Sequence, residues 1–468
     1  MRRPRRRAVP RGRFTFRRNV MNITPAAVAS LSAALLCAHG PVHAEPLGGT
    51  PGTDPTGQTY ADNGDPTLAV LIGEALERNP GILEARLESA AAWHRIPQAT
   101  ALPDPTVSLT VHGQPPETRV GPQRGGIAVR QALPWFGKRG DRGAVARTRA
   151  DARDALVEAQ RAAVVRDVKI AYYELAYLDR AIAVADQEAD LLRLYETLAE
   201  ARYSQGTGLQ QSVVKLQAEV TRILSRRDAL LQERVGAEAE LNALRDRPAQ
   251  DPLPSVRLRT RPETNIDEER LRELGRAHHP EVRVARLHLQ TERGNVRLAR
   301  REAWPDIVLG AAWNPVGDRR DRAGRLAPPG DNGEDQFSFS IGVSIPLQRG
   351  RYAAGVREAA ARLDAARAAL HRTVNHVDVA VRDAGARLTR IAARIRLHER
   401  ALVPQAEQAL RSAEAAYSAG TVDVLDLLDS EEMLLDARLG LARLEADYMQ
   451  ALADMERAVG TAFPKVAS

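Results

Sequence analysis

The sequence predicts an α+β membrane protein with an internal duplication, in which a few short strands separate very long, coiled-coil-like helices. Three observations predict this fold class. Short sequence matches recur in order at a spacing of 200 to 214 residues, apolar residues alternate with polar ones in four places, and two long runs contain almost no proline. A chain of 468 residues with these patterns is expected to be elongated or divided into two units.

The first 44 residues have the composition of a secretory signal peptide. They contain nine arginines, no acidic residue and an apolar run at 26–38 that precedes Val42-His43-Ala44. A basic start, a short apolar stretch and small residues before a cleavage point are typical of such signals. Removing the nine positive charges changes the formal net charge from +7 to −2, so a nucleic-acid partner is disfavoured.

The only cysteine, Cys37, lies within this leader. Lipidation at Cys37 stays open, but Leu36 stands where lipoprotein processing needs a small residue, and cleavage after Ala44 is favoured. After that cleavage the mature chain has no cysteine, hence neither a disulfide nor a thiolate metal site. The predicted divisions are a signal peptide (1–44), a flexible segment (45–66), two repeats (67–258 and 259–463) and a tail (464–468).

Four short matches between the two halves define the duplication. They occur in the same order, and only the lengths of the intervening loops differ. Each half is therefore expected to run helix, strand, loop, strand, long helix, turn and helix. The matches are Asn79-Pro80 with His279-Pro280, Pro103-Asp104 with Pro305-Asp306, Leu133-Pro134 with Ile345-Pro346, and Tyr203–Thr207 with Tyr417–Thr421.

Each half contains two predicted strands, in which apolar residues alternate with polar or small ones. The four strands lie near residues 106–112, 127–130, 307–310 and 337–345. Alternation places the apolar side chains on one face, and in lipid such a face forms the outer wall of a β-barrel with a polar lumen. A soluble β-sandwich is disfavoured because so few strands lie between such long helices. The clearest apolar set is Phe337, Phe339, Ile341, Val343 and Ile345.

Aromatic residues and loops support the same interpretation. Trp135, Trp304 and Trp313 lie at predicted strand ends, where aromatic side chains of membrane proteins meet the lipid interface. Polar loops at 114–124 and 315–335 join the strands of each pair. Because about eight strands is the smallest common barrel, four strands require other copies of the chain, and three copies would supply twelve.

The predicted helices are long enough to form a tunnel. Residues 141–201 contain no proline, and residues 352–417 contain only Pro404. At about 1.5 Å per residue, a run of about sixty residues extends about 90 Å. The last helix has apolar rows at heptad spacing, wide enough to pack against two neighbours. The rows are Leu427, Leu434, Leu441, Tyr448 and Met455; Ala437, Leu444 and Ala451; and Leu428, Leu435, Ala442 and Met449.

Two motifs resemble the TolC family of outer-membrane efflux proteins, and the resemblance covers residues 67–463. Leu133–Lys138 (LPWFGK) resembles the strand-to-helix corner of the outer-membrane components of heavy-metal efflux pumps. Residues 417–429 (YSAGTVDVLDLLD) resemble the helix-turn-helix tip at the periplasmic entrance. The resemblance implies a homotrimer in outer-membrane lipid, with a twelve-stranded β-barrel and a periplasmic helical tunnel. The trimer would dock with a resistance-nodulation-division (RND) inner-membrane pump through a periplasmic adaptor.

The resemblance also implies roles for residues at the tip. Asp426 and Asp429 match the aspartates that ring the entrance constriction, Gly420 and its partner Gly206 match the tip turns, and Tyr417 matches a tyrosine that helps to hold TolC closed. Acidic residues are also favoured at helix starts by the helix dipole, and that simpler interpretation of Asp426 and Asp429 stays open.

The tip departs from TolC at two positions. Val422 stands where TolC has an arginine, and Ser212 stands where TolC has an aspartate. The polar latch between those two groups is therefore not expected here in the same form. How the entrance of this protein closes is left open by the sequence.

The sequence contains no pattern for catalysis or for a bound cofactor. The ten histidines form no ligand set, and Lys138 is followed by Arg139 and not by the hydroxyl residue of a phosphate-binding loop. The expected function is a passive exit duct for a pump that transports metal cations or drugs. The alternatives are the outer-membrane component of a type I protein-secretion system and, in another class, a periplasmic coiled-coil scaffold.

Overall fold

A computed structural model of the protein describes residues 65–257 and 267–461. All of them belong to one compact unit that spans Gln58–Ser468. The predicted signal peptide with Cys37, residues 45–64 of the predicted flexible segment, and the tail lie outside the described residues.

The first half begins with two short helices that meet at Asn79. Its side chain accepts hydrogen bonds from the backbone N–H groups of Gly81 at 3.0 Å and Ile82 at 3.2 Å, so Asn79 caps the second helix. Pro80 follows in the first helical turn, where its missing N–H is not needed. The elements are α1 (Pro66–Arg78), α2 (Pro80–Thr100), β1 (Thr106–Val111), β2 (Glu117–Thr118), β3 (Gly121–Pro122), β4 (Gly125–Leu133), α3 (Lys138–Ser204) and α4 (Gln210–Leu244).

The second half repeats this arrangement, with His279 in the place of Asn79. The two residues have nearly the same backbone angles (φ −54° and ψ 123°; φ −58° and ψ 126°), and Nδ1 of His279 accepts the N–H of Glu281 at 3.2 Å. The elements are α5 (Glu268–His278), α6 (Pro280–Glu302), β5 (Ile307–Asn314), α7 (Arg322–Leu326), β6 (Gln336–Val343), α8 (Arg349–Leu397), a π-helical turn (His398–Leu402), α9 (Val403–Ser418) and α10 (Val424–Val459). The predicted order of elements in each half is confirmed.

The four predicted strands form one antiparallel sheet in the order β1-β4-β5-β6. Strands β4 and β5, which come from different halves, pair at its centre with Ala128 opposite Ala312. The register aligns the odd-numbered side chains of all four strands on one face. That face is mostly apolar and consists of Val107, Leu109, Val111, Ile127, Val129, Gln131, Leu133, Ile307, Leu309, Ala311, Trp313, Phe337, Phe339, Ile341 and Val343.

The strand ends and loops differ in detail from the prediction. Strand β6 ends at Val343 and not at Ile345, because Pro346 follows and has no N–H for the sheet. The loops predicted at 114–124 and 315–335 contain the short β2–β3 ladder and the five-residue helix α7. They also contact each other through a bridge between Gln123 and Val316.

The long helices follow the prediction in the first half and depart from it in the second. Helix α3 has 67 residues and is therefore about 100 Å long. The run predicted from 352 to 417 is interrupted by the π-helical turn His398–Leu402, immediately before Pro404. Proline cannot donate a backbone hydrogen bond and its ring displaces the preceding turn, which accounts for wider turns at this point.

The core runs along the packed helices, and α10 occupies a central place in it. All members of its three predicted apolar rows are buried except Leu428 and Leu441, which are half-buried against the core. The wide apolar face that the heptad spacing predicted for this helix is thus packed against the core. Within the described ranges, no helix combines the length and the apolar character needed to cross a membrane.

Candidate functional site

Two helix-turn-helix tips, one in each half, close with equivalent hydrogen bonds. Gly206 and Gly420 both have a φ of 74°, a left-handed conformation that glycine adopts without strain. In each tip the N–H of the following threonine donates to the carbonyl five residues earlier, at 2.9 Å and 3.0 Å. This hydrogen bond and the left-handed glycine are features of the Schellman motif, which satisfies the last carbonyls of a helix.

Arg202 joins the two tips. Its Nη1 and Nη2 atoms donate to the carbonyls of Tyr417 at 2.8 Å and Ser418 at 2.9 Å, and its guanidinium lies 4.6 Å from the centre of the buried Tyr417 ring. A cation at the end of α9 is favourable because the carbonyls there carry partial negative charge. Tyr417 was expected at the tip from sequence but Arg202 was not, since nothing local to Arg202 indicates a partner in the other half.

Asp423 caps the last helix and contacts the other tip. Its Oδ1 atom accepts the N–H of Val424 at 2.7 Å and the hydroxyl of Ser212 at 3.4 Å. Val422, nearby, is half-buried against the core. Within one protomer, the tips are therefore joined by Ser212–Asp423 and by Arg202–Tyr417, in a region where the TolC-type pair of charges is absent.

Asp426 and Asp429 lie on an exposed face of α10. They are three residues apart and so share that face, while Val424 and Leu427 point into the core. Neither carboxylate has an ion-pair partner within 4.0 Å among the described residues, in contrast to many acids of this protein. The two charges are thus available to solvent, and their predicted place in an entrance ring stays a prediction.

The three tryptophans lie at the two ends of the sheet, as expected. Trp135 and Trp304 stack at one end, with ring centres 5.6 Å apart and planes at 16°. At the other end, Trp313 stacks on Phe337 at 6.5 Å and donates its indole N–H to Asp335 at 2.9 Å. The amphipathic ring of tryptophan suits a lipid–water boundary, and this role of the three residues stays a prediction.

The corner between β4 and α3 is built around a buried lysine. Lys138 is 1% exposed, and its ammonium donates to the carbonyl of Trp304 at 2.7 Å and to Oδ1 of Asp306 at 2.9 Å. The same Asp306 oxygen accepts the N–H of Trp135 at 2.8 Å, and a carboxylate oxygen of Glu302 lies 3.8 Å from the ammonium. One side chain of the first half therefore fixes the segment between α6 and β5 of the second half.

Gly137 permits the close packing of this corner. Its φ is 85°, and a Cβ atom at this position would lie 1.7 Å from Nη1 of Arg301. Arg301 crosses here to donate to the carbonyl of Phe136 at 3.3 Å and to pair with Asp141 at 2.8 Å. The positive φ of Gly137 is therefore the main reason for glycine at this position of the Leu133–Lys138 motif, since the Arg301 side chain is flexible.

The sequence profile of the family described as "Outer membrane efflux protein" matches residues 71–246 and 271–461. The chain belongs to this family. Outer membrane efflux proteins include the family that the sequence resembled, so the predicted family and location in the outer membrane are confirmed. The two matched ranges correspond to the two halves of the chain.

Relatives of this outer membrane efflux protein match most of its length. Nodulation protein T of Rhizobium leguminosarum bv. trifolii is 24% identical over 424 residues, covering 86% of this chain and 87% of the relative. Outer membrane protein TolC of Vibrio cholerae serotype O1 is 24% identical over 415 residues, covering 84% and 90%. The solved structure of CusC has a TM-score of 0.72 at 18% identity and covers 88% of this chain and 95% of CusC. The TolC-like fold of the protomer is thereby confirmed.

Proposed function

We propose that this outer membrane efflux protein is the passive exit duct of a tripartite efflux system. Three copies would close a twelve-stranded β-barrel and a periplasmic helical tunnel. The tips with Asp426 and Asp429 would form the tunnel entrance, and a periplasmic adaptor would connect it to an inner-membrane pump. No step of this function requires catalysis or a cofactor, because the pump supplies the driving force.

The exposed sheet carries this proposal. In the described protomer, β1 and β6 each pair with a strand on one side only, and every residue of β6 is exposed. Open edges expose unpaired backbone groups, which lipid does not satisfy. Pairing β6 of one copy with β1 of the next would close the edges and turn the apolar face outward. A periplasmic scaffold has no use for such a sheet and is disfavoured.

We expect the mature protein to purify from the outer membrane as a trimer that stays assembled in mild detergent. The edges and the apolar face are covered only when copies join, so the isolated protomer would be unstable in water. Native mass spectrometry measures the assembly directly. A monomer recovered from the soluble periplasmic fraction would contradict the proposal.

We also expect the apolar face of the sheet to contact lipid. Phe337 and Phe339 are 70% and 87% exposed in the protomer, and Ser338 and Ser340 lie on the opposite face. Single cysteines at 338 and 340 should react with a water-soluble thiol reagent, whereas cysteines at 337 and 339 should be protected. Cleavage after Ala44 leaves no native cysteine to interfere. Equal labelling at all four positions would show that the face assignment is wrong.

The proposal also extends to the class of substrate that passes through the duct. The Leu133–Lys138 motif favours a pump for metal cations, while drugs and the proteins of a type I secretion system are the alternatives. We expect a strain without this gene to accumulate divalent metal cations and to regain export when the gene is restored. Accumulation of a dye, or loss of a secreted protein with normal metal levels, would favour one of the other cargo classes.

A further inference from the structure

Two glutamates from different halves meet inside the helical wall. Glu188 on α3 is 8% exposed and Glu431 on α10 is 2% exposed, and both side chains line the same small cavity. Oε2 of Glu431 is buried and receives no hydrogen bond from the described N–H and O–H groups. Because a carboxylate only accepts hydrogen bonds, two ionised carboxylates cannot bond to each other. A favourable contact between them therefore requires a proton on one of the two carboxyl groups.

The positive charges around the pair do not remove this requirement. Three arginines from α4 and α10 lie nearby, and each forms ion pairs with other carboxylates. Two buried anions without a counterion of their own would cost several kcal/mol, so retention of a proton is the less costly state. The competing ion pairs are Arg222 with Glu219 (2.6 Å) and Glu432 (2.9 Å), Arg226 with Asp436 (3.6 Å), and Arg438 with Glu407 (3.2 Å).

The remaining neighbours add negative charge or apolar surface. Glu414 on α9 faces Glu431 and already accepts the hydroxyl of Tyr195 on α3 at 2.5 Å, so that hydroxyl is not available to the pair. A cavity of about 40 Å³ adjoins the two glutamates, and its lining includes the paired Arg222 and Arg226 as well as Leu192 and Ile223. No set of three His, Cys, Asp or Glu side chains among the described residues is arranged to hold a metal ion. The ligand that fits this pair is a proton.

We propose that Glu188 and Glu431 share one proton that holds α3 against α10 beside the entrance tips, and that this contact weakens as the pH rises. Glu431 lies seven residues into α10, about 10 Å from its first residue, and two residues beyond Asp429. Loss of the proton would place two charges in the wall just behind the acidic face. The stability effect concerns the helical wall itself, and only its consequence for the entrance rests on the proposed duct.

The sign of the pH effect follows from the two carboxyl groups. Burial, followed by the contact with Glu431, raises the pKa of Glu188 to about 9 from an ordinary value of 4.5. Burial is also the main reason why the pKa of Glu431 is raised. Between these pH values the folded protein binds a proton that the unfolded chain releases, so stability decreases with rising pH. The stability contributed by the shared proton is fully present near pH 4.5 and is lost as the pH passes about 9.

The variant Glu188→Gln tests the proposal in the full-length assembled protein. The amide has nearly the shape of the protonated acid and donates an N–H to Glu431 at any pH. The midpoint of thermal unfolding, followed by helical circular dichroism, should fall between about pH 6 and pH 9 in the wild type and fall much less in Glu188→Gln. Glu200→Gln, an exposed change on the same helix, is the matched control and should behave as the wild type.

Two outcomes would overturn the proposal. One is a pH dependence of the midpoint in Glu188→Gln that equals that of the wild type. The other is decided on the wild type alone, even if the variant does not assemble. A protonated carboxyl group has a distinct infrared C=O band, which we expect at about pH 7 and expect to disappear above about pH 9. Absence of that band at about pH 7 would show that the pair holds no proton.

Discussion

Replacing Lys138 with methionine is expected to destabilise the assembled protein by about 3 kcal/mol, the lower end of the range for removing one partner of a buried ion pair. The lower end applies because the Asp306 side chain is 37% exposed, so water screens part of its charge. The variant also leaves the carbonyl of Trp304 without its 2.7 Å hydrogen bond. The temperature at which the proposed trimer dissociates in detergent measures the loss.

Two further variants separate the ion pair from general effects. Arg147→Met removes an exposed positive charge from the same helix and should leave the dissociation temperature almost unchanged. Adding Asp306→Asn to Lys138→Met should recover part of the lost stability, because the unpaired carboxylate is then neutral. If Lys138→Met and Arg147→Met have the same dissociation temperature, the corner is not held together by this lysine.

The periodic parts of the fold could be predicted from sequence because their signals are local. Alternation every second residue identified the apolar face of β6, and the register of the sheet extends that face across all four strands. Heptad spacing from Leu427 to Met455 identified the buried rows of α10. In both cases the side chains that share a face are two to seven residues apart in sequence. Whether that face contacts water or apolar surroundings determines which residue types occupy it.

The contacts between the halves could not be predicted in this way. Arg202 bonds to a carbonyl 215 residues away, and Lys138 to a carboxylate 168 residues away. Each residue in isolation is an ordinary helix-end cation, and only the folded pair gives it a defined role. The run at 352–417 was likewise expected to be one helix despite Pro404, and the local pattern did not predict the wider turns before this proline.

The tip contains features that the sequence predicted and features that it did not. The matched glycines at 206 and 420 predicted the two turns, because a left-handed residue after a helix has a strong glycine preference. The helix dipole favours all three aspartates at the start of α10, and only the family resemblance distinguished Asp426 and Asp429 from Asp423. All three are exposed, and their hydrogen bonds separate them: the Asp423 side chain accepts from Val424 and Ser212, whereas the side chains of Asp426 and Asp429 have no such partner among the described residues.

This separation leads to a prediction about ion selectivity. If the face with Asp426 and Asp429 lines the pore, a trimer concentrates six carboxylates at its entrance, and rings of this kind favour cations. One unit charge at 4 Å contributes about 1 kcal/mol even in water, which is roughly a fivefold change in occupancy. The double variant Asp426→Ala/Asp429→Ala is therefore expected to lose cation selectivity by about fivefold or more, and to be blocked less by divalent and trivalent cations.

Planar-bilayer conductance in asymmetric salt measures this selectivity for the wild type and the variants. Asp423→Ala is the matched control, because it removes a carboxylate one turn away that is engaged with Val424 and Ser212. Loss of this cap should lower stability by about 1 kcal/mol and leave selectivity close to that of the wild type. If the double variant keeps the selectivity and block of the wild type, the helix dipole is a sufficient reason for Asp426 and Asp429. If Asp423→Ala changes selectivity as much as the double variant does, the pore-lining face of α10 differs from the one assigned here.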